Sequence, residues 1–317
     1  MMLENISPCA QKYWRERKSV VGAFWDIDFL LFDRILTGQF ESGVQGDLLE
    51  IGALYGKSAI LLGCHARPEE KVIVCDVFDN VEGDDENVAE NTQSYRGLNR
   101  GRFEDNYKRW VDRPPVVIAE LSQHIVNRVE PRSLRFAHVD GSHLYNVVRM
   151  DIANTRSILN DSGVVVMDDF RALHTPGVAA AVWDAVSNEG LIPICISEQK
   201  FYGSWNSEIA RVTSLNLMQW VATQGDAINY GMQDVAGASV LLIQSPAPWK
   251  KYKLVMDLPT PWGTVKIVIV IPAPWRKHPA APRLRDVFNQ AWVRPYLGSR
   301  QAKAQSGIDH PMPDSAC

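Results

Sequence analysis

The sequence predicts an α/β fold built on a mostly parallel, doubly wound sheet. Three observations predict it. Short apolar runs recur along the first 200 residues, separated by stretches of helical periodicity. A glycine turn follows the first run directly and opens a helix. The side chains with chemical potential fall at the carboxyl ends of the runs, where such sheets bind ligands.

Taken in order, residues 20–40 are apolar at helical spacing and predict an amphipathic helix, so 1–40 is an N-terminal helical segment. Strands are predicted at 48–51, 72–77, 116–119, 134–139, 164–167 and 191–196. Helices are predicted at 58–65, 102–111, 145–159 and 178–188. Together these give one domain over 41–204. Residues 79–100 are polar and acidic, and read either as a solvated loop or as a lid that orders on ligand binding. A helix over 210–222 opens a C-terminal extension, 205–298. In it Pro-Ala-Pro-Trp at 246–249, Pro-Thr-Pro-Trp at 259–262 and Pro-Ala-Pro-Trp at 272–275 recur every 13 residues, each after a β-branched run. Proline cannot donate to a ladder, so each Pro-x-Pro is expected to end its strand. The result is a small antiparallel β-meander with a tryptophan at each turn, suited to packing, to a sugar-binding wall or to a homo-oligomer interface. The polar tail 299–317 is expected to be disordered.

Of the 317 residues 46% are hydrophobic and 22% charged, as in an ordinary globular protein. The net charge of −4 argues against a nucleic-acid or anionic-membrane partner. Residues 1–200 carry 21 Lys/Arg against 30 Asp/Glu, and residues 201–317 carry 12 against 7, which suggests two regions with different tasks. The five cysteines are scattered and form no CxxC pair, so they read as reduced thiols of a cytoplasmic protein. No apolar run is long enough to span a bilayer.

The segment Glu50-Ile-Gly52-Ala-Leu-Tyr-Gly56-Lys-Ser58 runs from strand through glycine turn to helix. Gly52 and Gly56 let the backbone approach a ligand, and Ser58 stands at a helix N-terminus. A nicotinamide-dependent enzyme would show G-x-G-x-x-G. Glu50 would repel a pyrophosphate but welcome a cation. S-adenosylmethionine (SAM), with its ammonium and sulfonium, fits that acid better. The pattern resembles the E-x-G-x-x-x-G motif of class I, Rossmann-like SAM-dependent methyltransferases. That resemblance implies that Glu50 orients the amino-acid half of SAM and that Asp76, 26 residues on, takes the ribose hydroxyls, with Asp79 as the nearby alternative. Ser122 falls where that family contacts adenine.

The fourth strand ends in Asp140-Gly-Ser-His143-Leu-Tyr145 and the fifth in Asp168-Asp169. Neighbouring parallel strands bring their carboxyl ends together, so Asp140, Asp168 and Asp169 should converge and repel. A hard divalent cation, Mg²⁺ or Mn²⁺, would compensate them. These segments resemble the metal-dependent small-molecule O-methyltransferases of the macrocin and novobiocin-pathway type, over about residues 40–200. The resemblance implies those three aspartates as metal ligands and a sugar or glycosylated secondary metabolite as acceptor. It departs at Ser142, where some relatives carry a basic aspartate; His143, next in sequence, is assigned as general base. Asp151 and Arg149 are placed on the surface of the following helix, and Tyr145 packs or orients. The competing expectations are an NAD(P)- or nucleotide-sugar-dependent enzyme, and a non-catalytic scaffold that binds a partner through the meander.

Overall fold

The computed structural model describes residues 7–78, 99–235, 237–245, 252–260 and 263–271. Two compact units divide the chain, Met1–Pro246 and Ala247–Cys317.

The first unit is organised by one nine-stranded sheet. Its strands are β1 (Asp47–Ile51), β2 (Val72–Cys75), β3 (Val116–Ile118), β4 (Leu134–Val139), β5 (Leu159–Met167), β6 (Ile192–Ile196), β7 (Phe201–Ser204), β8 (Asn229–Val235) and β9 (Ala238–Gln244), in the order 3-2-1-4-5-7-6-9-8. Strands β3-β2-β1-β4-β5 are mutually parallel, whereas β7 runs antiparallel to both β5 and β6. The order reverses between β1 and β4, which places the ligand crevice at their carboxyl ends.

Both faces of this sheet are covered. Helices α1 (Pro8–Glu16), α2 (Asp26–Glu41) and α3 (Lys57–His65) contribute Tyr13, Phe29, Phe32 and Leu61 to one core cluster, together with Phe136 and Val166 from the sheet. Helix α4 (Arg100–Lys108) adds Phe103 and Tyr107. On the other face, α5 (Tyr145–Ile158) and α6 (Pro176–Asn188) bury Val148, Ile152, Val178 and Val182 against Ala137, Val139 and Val165. Every residue of β4 is buried, and Phe136 joins one cluster while Ala137 and Val139 join the other, because successive strand side chains leave opposite faces. Helix α7 (Ser207–Thr223) returns to the first face through Leu217 and Val221.

Several expectations are adjusted. The predicted helix over 20–40 begins only at Asp26, and the polar stretch before it forms α1, whose buried Ala10 and Tyr13 make the N-terminal segment part of the core. The three C-terminal runs do not form one meander. The first, within β9, pairs in parallel with β6 and buries Val240, Leu241 and Ile243, which extends the first unit past residue 204. The other two form a hairpin, β10 (Tyr252–Thr260) with β11 (Gly263–Ile271), in which Pro259 pairs opposite Thr264 instead of ending its strand. The antiparallel pairs of the region are therefore β8–β9 and β10–β11. The tryptophans of the repeats, residues 79–98 of the lid candidate at 79–100 and the tail 299–317 lie outside the described residues, and Arg100, the last residue of that candidate, opens α4.

Not all the cysteines are reduced thiols. Cys9 and Cys64 are joined in a disulfide, because α1 packs on α3 and brings their Cα atoms to 5.2 Å. Cys75 and Cys195 are buried and free. Cysteine usage thus no longer argues for a reducing compartment. No helix among the described residues is long and apolar enough to cross a membrane.

At the amino ends of the strands, Arg135 on β4 is fully buried. Its Nε and Nη2 donate to the two Glu70 oxygens at 2.8 and 2.9 Å, Nη1 to Gln39 Oε1 at 2.8 Å, and Nη2 also to His65 O at 3.0 Å. Removing one partner strands a buried charge. Arg135→Met should destabilise the protein by about 3–5 kcal/mol in a denaturant titration; a loss under about 1 kcal/mol would show that Glu70 finds other compensation.

Candidate active site

The glycine turn after β1 is shaped by contact with β4. Asp140 N donates to Ile51 O at 2.7 Å, continuing the ladder past the strand ends. Gly52 adopts φ 78°, and a Cβ there would lie 1.8 Å from Asp140 O. Only glycine fits. Gly56, φ 87°, caps α3 against the Phe103 ring.

Glu50 sits beside this turn with none of its surface exposed. Its Oε1 accepts from the Ser58 hydroxyl and lies 3.1 Å from His138 Nδ1. Its Oε2 is buried without a hydrogen-bond partner among the described residues. Burial pushes the Glu50 carboxyl up to about 8, against the Ser58 hydrogen bond and the Lys200 charge. Ser58 therefore serves the acid. Asp76 also serves the turn: Oδ2 accepts from Ala53 N at 2.7 Å and Leu54 N at 3.2 Å, and Oδ1 from Phe78 N at 2.7 Å. Ribose hydroxyls would have to share those oxygens through their second lone pairs. Asp79 lies outside the described residues. Ser122 opens a 3₁₀ turn, Ser122–Asn127, and faces Asp151. Asp151 is buried inside α5 instead of lying on its surface, and burial drives its carboxyl up to about 7. Arg149 is the surface residue, paired with Asp184 and Glu189. Tyr145 is exposed and donates to Asp184.

The three aspartates reach one end of the sheet as two overlapping sets. Ligand atoms of His138, Asp140 and Asp168 lie within 4.8 Å of one another, as do those of Asp140, His143 and Asp169. The split has two causes. Asp168 is drawn to the buried ammonium of Lys200. Asp169 takes a left-handed turn, φ 53°, that aims it away from Asp168, and its Oδ2 meets His143 Nε2 at 2.8 Å. Burial would raise the Asp168 carboxyl, but Lys200 holds it below the usual carboxylate range; burial and the Asp168 charge push Asp140 well above it. The His143 hydrogen bond holds Asp169 low. Each set joins two carboxylates to one imidazole, with Asp140 common to both, and the carboxylate oxygens are donors that suit a hard divalent cation.

Three buried polar side chains beside these acids were not singled out in the sequence. His138 is fully buried, and burial followed by the Lys200 charge lowers its pKa well below the usual imidazole value. Lys200, the residue before β7, lies 3.0 Å from His138 Nε2. Asp28 on α2 accepts from Tyr202 at 2.7 Å and is pushed up to about 6 by burial. A histidine inside an otherwise apolar strand was the one visible signal; Lys200 and Asp28 gave none.

The profile of a family described as a methyltransferase domain matches residues 49–170. No curated protein matches the chain. Similar solved structures include the O-methyltransferase NovP (19% identity, 56% of this chain and 79% of that one, TM-score 0.47). Another is CalS11, a TDP-rhamnose 3′-O-methyltransferase of calicheamicin biosynthesis (13%, 62% and 93%, TM-score 0.38). A third is the S-adenosylhomocysteine-bound methyltransferase PaMTH1 of Podospora anserina (13%, 77% and 92%, TM-score 0.35). The family match spans the glycine turn and all three aspartates, so residues 49–170 of this chain are similar to a methyltransferase domain.

Proposed function

We propose that the protein methylates a hydroxyl group of a small molecule, a sugar or glycosylated metabolite, with a divalent metal assisting and His143 as general base. The observation that carries this reading is the pair His143 Nε2 and Asp169 Oδ2 at 2.8 Å beside Asp140. A carboxylate behind an imidazole orients it and stabilises the charge it gains on taking a proton. That arrangement suits an alcohol, which gives up its proton far less readily than a phenol.

Asp140, Asp168 and Asp169 would hold Mg²⁺ or Mn²⁺. When bound, the metal lowers the pKa of the acceptor hydroxyl and SAM supplies an electrophilic methyl on sulfonium. Glu50 Oε2, buried and without a partner among the described residues, would receive the ammonium of the donor. His143 takes the hydroxyl proton on a ring nitrogen while Asp169 fixes the ring. Transfer is an in-line displacement, so the rigid strand tips contribute by alignment.

Three outcomes test this. Glu50 is held protonated near neutrality by burial, whereas a cationic ligand favours its ionised form. S-adenosylhomocysteine binding should therefore release a proton at pH 7, and affinity should rise with pH and level off above about 8. Calorimetry in buffers of different ionisation heat reads this directly; buffer-independent heats would refute the state assigned to Glu50. His143→Ala should lower kcat by roughly 10²–10⁴ with little change in cofactor affinity, and a near-normal rate removes it as base. Asp168→Asn and chelation should each abolish turnover while S-adenosylhomocysteine still binds. Turnover that survives both would rule out the metal.

A further inference from the structure

The reaction just described leaves His138 and Lys200 without a task, although both are fully buried and join its two halves. Lys200 Nζ contacts Asp168 Oδ2 and lies 3.0 Å from His138 Nε2. The other ring nitrogen, Nδ1, lies 3.1 Å from Glu50 Oε1. Asp140, Asp28 and the Phe24 ring also face the ammonium.

The polarity of this chain follows from one chemical fact. A lysine ammonium has three donors and no acceptor. His138 Nε2 must therefore accept, so the ring hydrogen sits on Nδ1 and points at Glu50 Oε1. The Ser58 hydroxyl donates to the same oxygen. Oε1 is thus saturated by two donors, and Oε2 is left buried and without a partner among the described residues.

We propose that Lys200 is a positioning residue for the methyl donor: by holding His138 as the Nδ1–H tautomer it keeps Glu50 an acceptor and reserves Oε2 for the donor's ammonium group. This rests on the SAM reading above and adds what sets the polarity of the cofactor acid. Without Lys200, Nε2–H would turn to Asp168 Oδ2, 3.9 Å away. The Nδ1 lone pair would then oppose Glu50 Oε1, and the ammonium site would lose its anchor.

The test uses the full chain, without metal or acceptor, and two readouts: ¹⁵N spectroscopy of labelled histidines and calorimetry with S-adenosylhomocysteine. In the parent protein His138 should show the Nδ1–H signature. Lys200→Met should convert it to Nε2–H and weaken binding at least tenfold. Lys200→Gln, whose amide still donates, should keep the tautomer and bind within about threefold of the parent. An Nε2–H signature in the parent protein overturns the proposal, as does parent-like affinity in Lys200→Met. If Lys200→Met does not fold, the parent spectrum and Lys200→Gln still decide. A parent protein that shows the Nδ1–H signature but binds no S-adenosylhomocysteine would fail the SAM reading itself, and this proposal would fall with it.

Discussion

The seam between β1 and β4 governs the architecture of the site. These strands lie side by side but lead into different halves of the chain, so their ladder must run to its last residue before the connections part. The bond from Asp140 N to Ile51 O carries it there, and the missing Cβ of Gly52 allows the two turns to touch. Because the turns touch, Glu50 and Asp140 are placed at the same end of the sheet, on either side of this seam. A side chain at Gly52 would push these turns apart. Backbone contact of this kind fixes positions more firmly than side-chain packing, since neither partner has rotamers to relax into.

Electrostatics then differentiates acids that the sequence presents as equals. Glu50, Asp140 and Asp168 are all carboxyls near strand tips, yet their surroundings push them apart. Buried Lys200 favours charge on Asp168, whereas burial and the charge on Asp168 push the Asp140 carboxyl up. Asp169, on its left-handed turn, belongs to the imidazole. Pairs of carboxyls pushed apart in this way are the usual means of dividing acid and base work within one cleft.

Much of this was legible in the sequence, for definite reasons. Six strands, from Asp47–Ile51 to Ile192–Ile196, were legible because buried parallel strands are continuous apolar runs. Strand Asn229–Val235 was not, because it is an exposed edge with no apolar alternation, and Phe201–Ser204 is too short to show a period. Helix Pro8–Glu16 was hidden by its polar surface; only Ala10 and Tyr13 turn inward. Glu50, Asp140, His143 and Asp169 could be found because strand ends and glycine turns mark them. Lys200 could not, since its meaning comes from a histidine 62 residues away and an aspartate on another strand. Asp151 was misplaced because helical spacing gives a face but does not say which face the sheet will cover.

The bridge between Cys9 and Cys64 ties the helix that carries Tyr13 to the helix whose first turn carries Lys57 and Ser58. Tyr13 already donates to Lys57 O at 2.8 Å, and Lys57 Nζ reaches Gly22 O at 2.8 Å. The covalent tie closes a loop with a sequence separation of 55, which removes about 4 kcal/mol of entropy from the unfolded chain. Roof and wall beside the buried glutamate thus form one cross-linked block. The N-terminal segment is thereby held as fixed masonry on the helix that follows the glycine turn.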